Sequence, residues 1–482
     1  MKTPTHSTPQ THEGTTLQAL LRERVLVLDG AMGTMIQSYK LREEDFRGQR
    51  FTGLPGQQSG NNDLLCLSRP DVIADIHRRY LDAGADIIET CTFNAQRISL
   101  ADYHCGHLAG EINTAAARIA RRLADEYYLR DPSKPRFVAG SVGPANKSLS
   151  MSPDVNDPAL RNMTFDELAD AYLEQTSALI EAGVDAILIE TIFDTLNAKA
   201  AIFAAQQAMH QTGHRVPLML SVTVSDKAAR TLSGQTLEAF LTSVAHADIL
   251  SVGLNCSFGV SDLRPFVEQM AQRIPVCLSL HPNAGLPNEM GEYDELPEFT
   301  ASHLRQMAEA GLLNIAGGCC GTDERHIRAI SEALKGVAPR GVRREVRGER
   351  NLSLSGLETV YSPPLQGEAG GGSTSFINIG ERTNVAGSRK FARLIAEKKY
   401  DEAMSVARQQ IEGGAGIIDI NMDDAMLDSR QEMQTFCRYI SGDPAVGRAV
   451  LMIDSSDWPT VVAGLKNAQG KCIVNSISLK NG

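Results

Sequence analysis

Residues 80–90 read YLDAGADIIET and residues 179–191 read LIEAGVDAILIET, and these two stretches decide the fold. Each contains the end of an amphipathic helix, a glycine suited to a helix C-cap, and then an apolar run of strand length. A third copy of the pattern, QIEGGAGIIDIN, occupies residues 410–421. Helices that lead through glycine into buried strands are typical of parallel α/β structure, so the sequence predicts such units in two separate parts of the chain.

Eight apolar runs of strand length lie between Val25 and Ala316, and most are followed by a helical pattern. The runs are VLVLDG, ADIIET, RFVAGS, DAILIE, LMLSVT, DILSVGLN, VCLSLH and LLNIAGG. The helices are predicted at residues 70–83, 111–128, 164–182, 197–212, 236–245, 261–273, 300–310 and 323–334. Thr164 and Glu167 have the spacing of a capping box, which supports the start of the third helix.

Eight strand and helix units over about 310 residues favour a (β/α)8 barrel over a doubly wound sheet. In this fold the chemistry lies where the strands end and the next loops begin. Residues that directly follow the strands are therefore the candidates for function.

The chain of 482 residues is longer than one core usually supports, so we expect two domains. Its net charge of -11 repels a phosphate backbone, and no basic stripe with interleaved aromatic residues is present, which argues against a nucleic-acid partner. The polar start of the sequence lacks the apolar segment of an export signal, and no stretch is long and apolar enough to span a membrane. We expect a cytoplasmic protein with no membrane partner.

The nine cysteines favour reduced thiols over a disulfide framework, because their number is odd and their spacing irregular. Six of them are isolated in apolar or loop sequence and are interpreted as small buried hydrophobic residues: Cys66, Cys91, Cys105, Cys277, Cys437 and Cys472. The HCGH string at residues 104–107 falls between the second strand and its helix, and we interpret it as a loop.

A change of composition divides the chain. We predict a first barrel domain over residues 15–338, a linker rich in Gly, Pro and Ser over 339–374, and a second domain over 375–482. The second domain contains four strand patterns, SFINIG, GIIDIN, AVLMID and KCIVNSIS. Four units amount to half of a barrel with open edges, so we expect a truncated chain.

Three cysteines are predicted to lie close together in the folded barrel. Cys256 follows the sixth strand in GLNCS, whereas Cys319 and Cys320 follow the eighth in GGCCGT. These strand ends share one rim of a closed barrel, and three sulfurs would suit a tetrahedral zinc ion with one open position, as in catalytic sites. Such a site could bind a substrate thiol as its thiolate for S-alkylation. The spacing equally allows small residues under a tight turn, and a strained vicinal disulfide is a third alternative.

The strings LDGAMGT, GLNCS and GGCCGT, in this order on an eight-unit barrel, resemble the homocysteine S-methyltransferase family over roughly residues 15–340. The resemblance implies that Cys256, Cys319 and Cys320 hold zinc and that the zinc holds homocysteine. It also implies that Asp29 and Glu190 bind or orient the amino acid, with Ala31, Met32, Gly33 and Thr34 near its carboxylate. Glu89, Asn94 and His281 also follow strands and are secondary candidates.

The strings FINIGERTNVAGSRKF, IDINMDDAMLD, MIDSS and VNSIS resemble the pterin-binding barrel of the cobalamin-dependent methionine synthases. The resemblance implies a pterin site at Glu381, Asn384, Asp419, Asn421, Asp454 and Asn475. Polar side chains at strand ends can donate to and accept from the edge of a pterin ring. The cobalamin-binding pattern D-x-H-x-x-G is absent from the sequence, so we expect methylcobalamin to arrive on a missing C-terminal region or on a separate chain.

The two resemblances imply a methyltransferase that converts homocysteine to methionine, with zinc as the metal, methylcobalamin as the donor and 5-methyltetrahydrofolate as the methyl source. One alternative is a single-barrel enzyme with S-methylmethionine or betaine as the donor. Another is an inactive fragment.

Overall fold

The computed structural model describes residues 16–288, 291, 293–342, 352–361 and 376–477. Within these ranges it contains an eight-stranded and a four-stranded parallel sheet, joined by a two-stranded hairpin. The strands of the first sheet are β1 Leu26–Val27, β2 Ile87–Glu89, β3 Phe137–Val142, β4 Ala186–Ile192, β5 Leu218–Val222, β6 Ile249–Gly259, β7 Cys277–Asn283 and β8 Ile315–Ala316.

Helices surround this sheet, and the first of them covers the end where the strands begin. They are α1 Leu17–Glu23, α2 Met32–Ser38, α3 Glu43–Arg47, α4 Leu65–Ser68, α5 Pro70–Ala83, α6 Arg97–Leu100, α7 Ala109–Arg130, α8 Phe165–Glu181, α9 Thr195–Thr212, α10 Leu237–Val244, α11 Val260–Arg273, α12 Pro297–Glu309 and α13 Glu324–Ala333. The eight predicted helices correspond to α5 and α7–α13, with small differences at their ends.

The first sheet closes into a barrel. Its strand order runs β1-β8-β7-β6-β5-β4-β3-β2, and a parallel bridge between Leu28 and Ile87 joins the two remaining edges. The Asp29 N–H donates to the Ile87 carbonyl at 3.0 Å and the Asp86 N–H to the Val27 carbonyl at 2.7 Å. The predicted (β/α)8 fold is confirmed.

The sequence features that predicted the helices have their expected local roles. Pro70 begins α5, and Gly84 ends it with φ +110°, a conformation that costs glycine little. Thr164 and Glu167 form the reciprocal hydrogen bonds of a capping box at the start of α8.

The barrel interior is apolar at one end and polar at the other. Side chains such as Ile87, Phe137 and Leu188 fill the end where the strands begin, and Leu20 and Leu21 of α1 close it. This plug was not predicted from the sequence. Since burial of each leucine stabilises the fold by about 1.5–3 kcal/mol, α1 holds that end of the barrel interior shut.

The predicted linker contains ordered structure. Residues Ser353–Ser355 (β9) and Thr359–Tyr361 (β10) form an antiparallel hairpin. The Gln235 side chain in the first domain donates to the Gly356 carbonyl at 2.7 Å, and the Leu357 N–H donates to the Gly447 carbonyl at 2.8 Å. The hairpin thus binds to both domains, although the composition of residues 339–374 indicates only a flexible connection.

The second sheet has the order β11-β12-β13-β14 and is parallel throughout, so the predicted partial second barrel is confirmed. Its strands are β11 Ile379–Asn384, β12 Ile417–Asn421, β13 Val450–Asp454 and β14 Ile473–Asn475, with helices α14 Arg389–Ala396, α15 Tyr400–Glu412, α16 Ser429–Ser441, α17 Pro444–Gly447 and α18 Trp458–Leu465. The first strand lies later than SFINIG indicates. Pairing of Ile379 with Ile417 and of Asn384 with Asn421 brings GERTN into the sheet, although only Thr383 of these residues is buried.

Side chains of the first domain also contact the second directly. Lys199 donates to the carbonyl oxygens of Ala468 at 3.3 Å and Gly470 at 2.6 Å, and Arg161 donates to the Ser441 hydroxyl at 2.7 Å. Among the residues that the structure describes, no helix is long and apolar enough to cross a membrane.

Candidate active site

A cavity of about 600 Å³ opens at the carboxyl ends of the barrel strands. All of the first-domain candidates line it: Asp29, Ala31, Met32, Gly33, Thr34, Glu190, Cys256, Cys319 and Cys320. The secondary candidates Glu89, Asn94 and His281 line it as well. The structure therefore brings together in one place residues that the sequence distributes over almost 300 positions.

The three cysteines converge on one wall of the cavity. Their sulfur atoms all lie within 4.8 Å of one another, and those of Cys256 and Cys320 are 3.9 Å apart. In a regular zinc tetrahedron with bonds of about 2.3 Å, neighbouring sulfurs are separated by about 3.8 Å. The donor set and its spacing therefore fit a zinc ion that keeps one position for another ligand.

Contact between the sulfurs changes their acidity. Hydrogen bonds donated by Cys319 and Cys320 lower the pKa of the Cys256 thiol to about 3. Donation to Cys256 in turn raises the pKa of Cys320 to about 11 and raises that of Cys319. Without a cation the cluster carries one thiolate at neutral pH, and ionisation of all three sulfurs requires a positive charge among them.

The backbone around the cysteines is shaped for this arrangement. Strand β6 continues past its predicted end, and Cys256 and Ser257 adopt φ +63° and +61° at a register shift against β7. After β8, a Cβ on Gly317 would lie 2.8 Å from the Leu28 Cβ, and one on Gly321 2.3 Å from the Tyr293 side chain. The glycines that flank the paired cysteines thus permit close approach of β1 and of the loop after β7.

Asn255 and Tyr293 are site residues that the sequence did not single out. The Asn255 amide nitrogen donates to the Thr191 hydroxyl at 2.8 Å and approaches the Cys319 sulfur at 3.8 Å. Its oxygen accepts from the Ser221 hydroxyl at 2.7 Å. Tyr293 hydrogen-bonds to Cys320, and burial raises its pKa to about 12. Asn255 adjoins Cys256 in GLNCS, which is the one sequence signal that could have identified it.

Three carboxyl groups form a second wall of the cavity. Asp29 follows β1 and is 2% exposed, Glu89 ends β2, and Glu190 lies in β4 and is 8% exposed. Burial raises the pKa of all three carboxyls, and the charges of neighbouring carboxylates raise those of Asp29 and Glu89 further. The Ser141 hydroxyl donates to Glu190, which favours its ionised form.

Among the described residues, the charged side chains that line the cavity are acidic and not basic. Asp63 also lines it, and its oxygens are paired with the Asn94 N–H at 2.9 Å and with the Cys91 thiol at 3.9 Å. No lysine or arginine occurs among the lining residues that the structure describes. An anionic group of a ligand would therefore have to bind backbone N–H groups, such as those in the first turn of α2.

His281 and Asn94 have different surroundings. His281 is paired in register with Asn255 and is 3% exposed, and its Nε2 has no hydrogen-bond partner in the described structure. Burial lowers its pKa to about 3, so this histidine is neutral. The Asn94 N–H is bound to Asp63, which indicates a loop-forming role. As predicted, the HCGH segment lies in the loop region between β2 and α7, where the structure adds a short 3₁₀ turn and buries Cys105.

The second-domain candidates lie across the carboxyl end of the four-stranded sheet. Register pairs Asn384 with Asn421, Asn421 with Asp454, and Asp454 with Asn475. Asn384 donates to Asp419 at 3.0 Å, and Asn421 donates to Asp454 at 3.0 Å.

Asp419 is the most perturbed of these groups. Burial, with the charges of Asp454 and Glu381 as smaller causes, raises its pKa to about 7. Its Oδ1 is buried and has no partner in the described part of the chain, whereas Glu381 is exposed at the rim. The predicted residues therefore form one polar row, in which Asp419 Oδ1 can accept a hydrogen bond from a ligand.

Comparisons with known proteins identify both parts of the chain. The family model described as homocysteine S-methyltransferase matches residues 26–334, and that described as pterin binding enzyme matches residues 380–482. The metallated form of the homocysteine methyltransferase MmuM from Escherichia coli is 22% identical, with a TM-score of 0.52 over 66% of this chain and 99% of that one. Its oxidized form is 20% identical, with a TM-score of 0.51 over 65% and 97%. At this identity the solved structures support the fold.

Proposed function

This chain belongs to the homocysteine S-methyltransferase family and carries a pterin-binding type of second domain, and we propose that it makes methionine by zinc-dependent methyl transfer to homocysteine. The observation that carries the proposal is the meeting of three cysteine sulfurs and a wall of carboxyl groups in one cavity. A thiol and an ammonium group are the two features of homocysteine that these walls would bind.

The three cysteines would hold the metal. Zinc at Cys256, Cys319 and Cys320 would supply a positive charge that lowers the pKa of a substrate thiol and a free position for its sulfur. The Asn255 amide nitrogen, 3.8 Å from the Cys319 sulfur, would orient Cys319, and Tyr293 would orient Cys320 through its hydrogen bond. Overall, the bond between the methyl group and its donor would break with its electron pair left on the donor, an S–CH3 bond would replace the S–H bond of homocysteine, and one proton would be released.

The carboxyl wall would orient the amino acid. Asp29 and Glu190 would receive the ammonium group, because both are buried and neither has a cationic partner among the lining residues that the structure describes. Backbone N–H groups of Met32, Gly33 and Thr34 would bind the carboxylate, since the first turn of a helix leaves such donors unpaired.

The proposed donor is methylcobalamin, remethylated from 5-methyltetrahydrofolate. The row of Asn384, Asn421, Asp454 and Asn475, together with Asp419 and Glu381, would bind the pterin ring by hydrogen bonds to its edge. A cobalamin-carrying domain outside these 482 residues would bring the methyl group to the mouth of the barrel cavity.

A second donor class has one observation in its favour. The cavity contains four carboxyl groups and, among its described lining, no basic side chain, which suits a cationic donor such as S-methylmethionine or betaine. The pterin-binding match of the second domain favours the folate and cobalamin route.

A donor assay separates the two. The zinc-loaded protein with homocysteine is supplied in turn with methylcobalamin, S-methylmethionine and betaine, and methionine is measured. We expect methionine from methylcobalamin only. Turnover with S-methylmethionine or betaine and none with methylcobalamin would overturn the proposed donor.

A further inference from the structure

The carboxyl wall holds one acid more than the proposed function uses. Asp29 and Glu190 suffice to give an ammonium group a countercharge, yet Glu89 lies between them at the end of β2. The Glu89 N–H donates to Asp29 Oδ2 at 3.1 Å, and its carboxyl hydrogen-bonds to that of Glu190. The three groups therefore form one contiguous cluster.

One carboxylate oxygen of the cluster has no hydrogen-bond partner in the described structure. Asp29 Oδ1 is buried and has no hydrogen-bond partner in the described structure, although Asp29 lines the cavity. Buried carboxylate oxygens are normally paired, so an orphan at a cavity wall indicates that the partner is supplied by what binds there.

The number of acceptors matches one kind of cation. A primary ammonium group has three N–H donors and no acceptor, whereas a quaternary ammonium has no donor. Asp29, Glu89 and Glu190 offer one carboxyl group for each donor. Without a ligand, a hydrogen bond joins the carboxyl groups of Glu89 and Glu190, and Asp29 Oδ1 stays unpaired in the described structure. A cation with three donors can bind all three of these carboxyl groups at once.

We propose that Glu89 is a specificity-determining residue that completes a three-carboxyl cage for the primary ammonium group of an amino thiol. The inference rests on the proposed function, since it concerns the same substrate. It adds that the barrel distinguishes homocysteine from thiols without an amino group chiefly through this cage, while the sulfur cluster binds either kind of thiol.

Asp63 provides a matched control. It too is a buried carboxyl group in the cavity lining, but its oxygens are already paired with Asn94 and Cys91. Replacement of Asp63 by asparagine removes an acid from the same cavity without removing a member of the cage.

The test is calorimetric binding of two thiols to the zinc-loaded full chain. The thiols are homocysteine and 4-mercaptobutanoate, which has the same thiol and carboxylate but no ammonium group. Glu89→Gln removes the charge and keeps the shape, and Glu89→Leu removes the acceptor as well. We expect the preference for homocysteine to fall roughly tenfold in Glu89→Gln and further in Glu89→Leu, with 4-mercaptobutanoate bound as in the wild type.

Each outcome has a defined meaning. In Asp63→Asn we expect the wild-type preference. An unchanged preference in both Glu89 variants, with zinc and both thiols still bound, would overturn the role of Glu89 and leave the proposed function intact. Equal loss of affinity for both thiols would show a merely structural role and also overturn it. If neither thiol bound to the zinc-loaded wild type, the proposed function would fail, and the inference with it.

Discussion

The sulfur atoms of Cys256 and Cys320 lie 3.9 Å apart, although 64 positions separate the two residues in the sequence. Strand order produces this proximity, because β6 and β8 are both neighbours of β7. The register shift and the positive φ of Cys256 then turn its side chain to the cavity. The candidate metal site is thus a consequence of strand order and local backbone shape together.

Removal of one sulfur should abolish metal binding. We expect Cys320→Ala to retain less than about a tenth of the wild-type zinc, since two cysteines do not complete a stable tetrahedral site. Metal content after dialysis, measured by plasma mass spectrometry, checks this. The matched control is Cys277→Ala, which removes a buried thiol at the apolar end of the barrel and should leave the zinc content unchanged.

Acid should destabilise the first barrel through His77. This residue of α5 is fully buried, neither ring nitrogen has a partner in the described structure, and burial lowers its pKa from 6.5 to about 4. The folded state disfavours the charged ring. The contribution of neutral His77 to the free energy of unfolding is therefore fully present above pH 6.5 and is lost as the pH falls to 4. The full loss is about 3 kcal/mol.

His77→Leu should therefore flatten the fall in unfolding free energy between pH 6.5 and 4, as measured by urea denaturation. Replacement of the exposed His107 by leucine serves as the control and should keep the wild-type slope. Parallel pH profiles for wild type and His77→Leu would contradict the role given to burial.

The hairpin contact should depend on glycine at position 470. A Cβ there would lie 1.8 Å from the Ser355 carbonyl oxygen, so Gly470→Ala must displace the hairpin β9–β10. We expect a loss of about 1–3 kcal/mol. Thermal unfolding followed by fluorescence of Trp458, the one tryptophan of the chain, reports on the second domain directly.

Gly110→Ala is the control for this substitution. Position 110 lies in α7, and a Cβ there meets nothing within 4 Å, so the change should be neutral or stabilise the protein by up to about 1 kcal/mol. Equal melting temperatures for the two variants would show that the hairpin is not held as the structure indicates.

Binding of 5-methyltetrahydrofolate should strengthen with pH. The pKa of Asp419 is raised to about 7 chiefly by burial, and its ionised form is the better acceptor for the N–H groups of a pterin. Titration calorimetry at pH 6 and pH 8 should therefore show tighter binding at the higher pH, and Asp419→Asn should weaken binding and remove the difference. Asp401→Asn, an exposed acid on α15, should behave as wild type. If the pH dependence persisted in Asp419→Asn, another titratable group would have to cause it.

Much of the fold could be predicted from local patterns. Helix α5 has the bounds that its periodicity, Pro70 and Gly84 indicate, and strand order places Cys256 near Cys319 before any coordinates are known. These features depend on residues close in sequence or on one general rule of barrel closure.

The remaining features depend on contacts between distant segments. Helix α1 is only seven residues long, and the role of its leucines becomes clear only from their packing against the end of the barrel where the strands begin. The hairpin is held by Gln235 and by the Gly447 carbonyl, neither of which the linker composition reveals. The positive φ of Cys256 and the orphan oxygen of Asp29 likewise arise from tertiary packing.

X-ray absorption at the zinc edge tests the central claim most directly. It measures how many sulfur atoms surround the metal in the purified chain, without and with homocysteine. We predict three sulfurs near 2.3 Å from the zinc in the absence of substrate and four in the presence of homocysteine. With 2-aminobutanoate, which lacks the thiol, the number should stay at three. Absence of zinc, or a sulfur count that homocysteine does not change, would contradict the account.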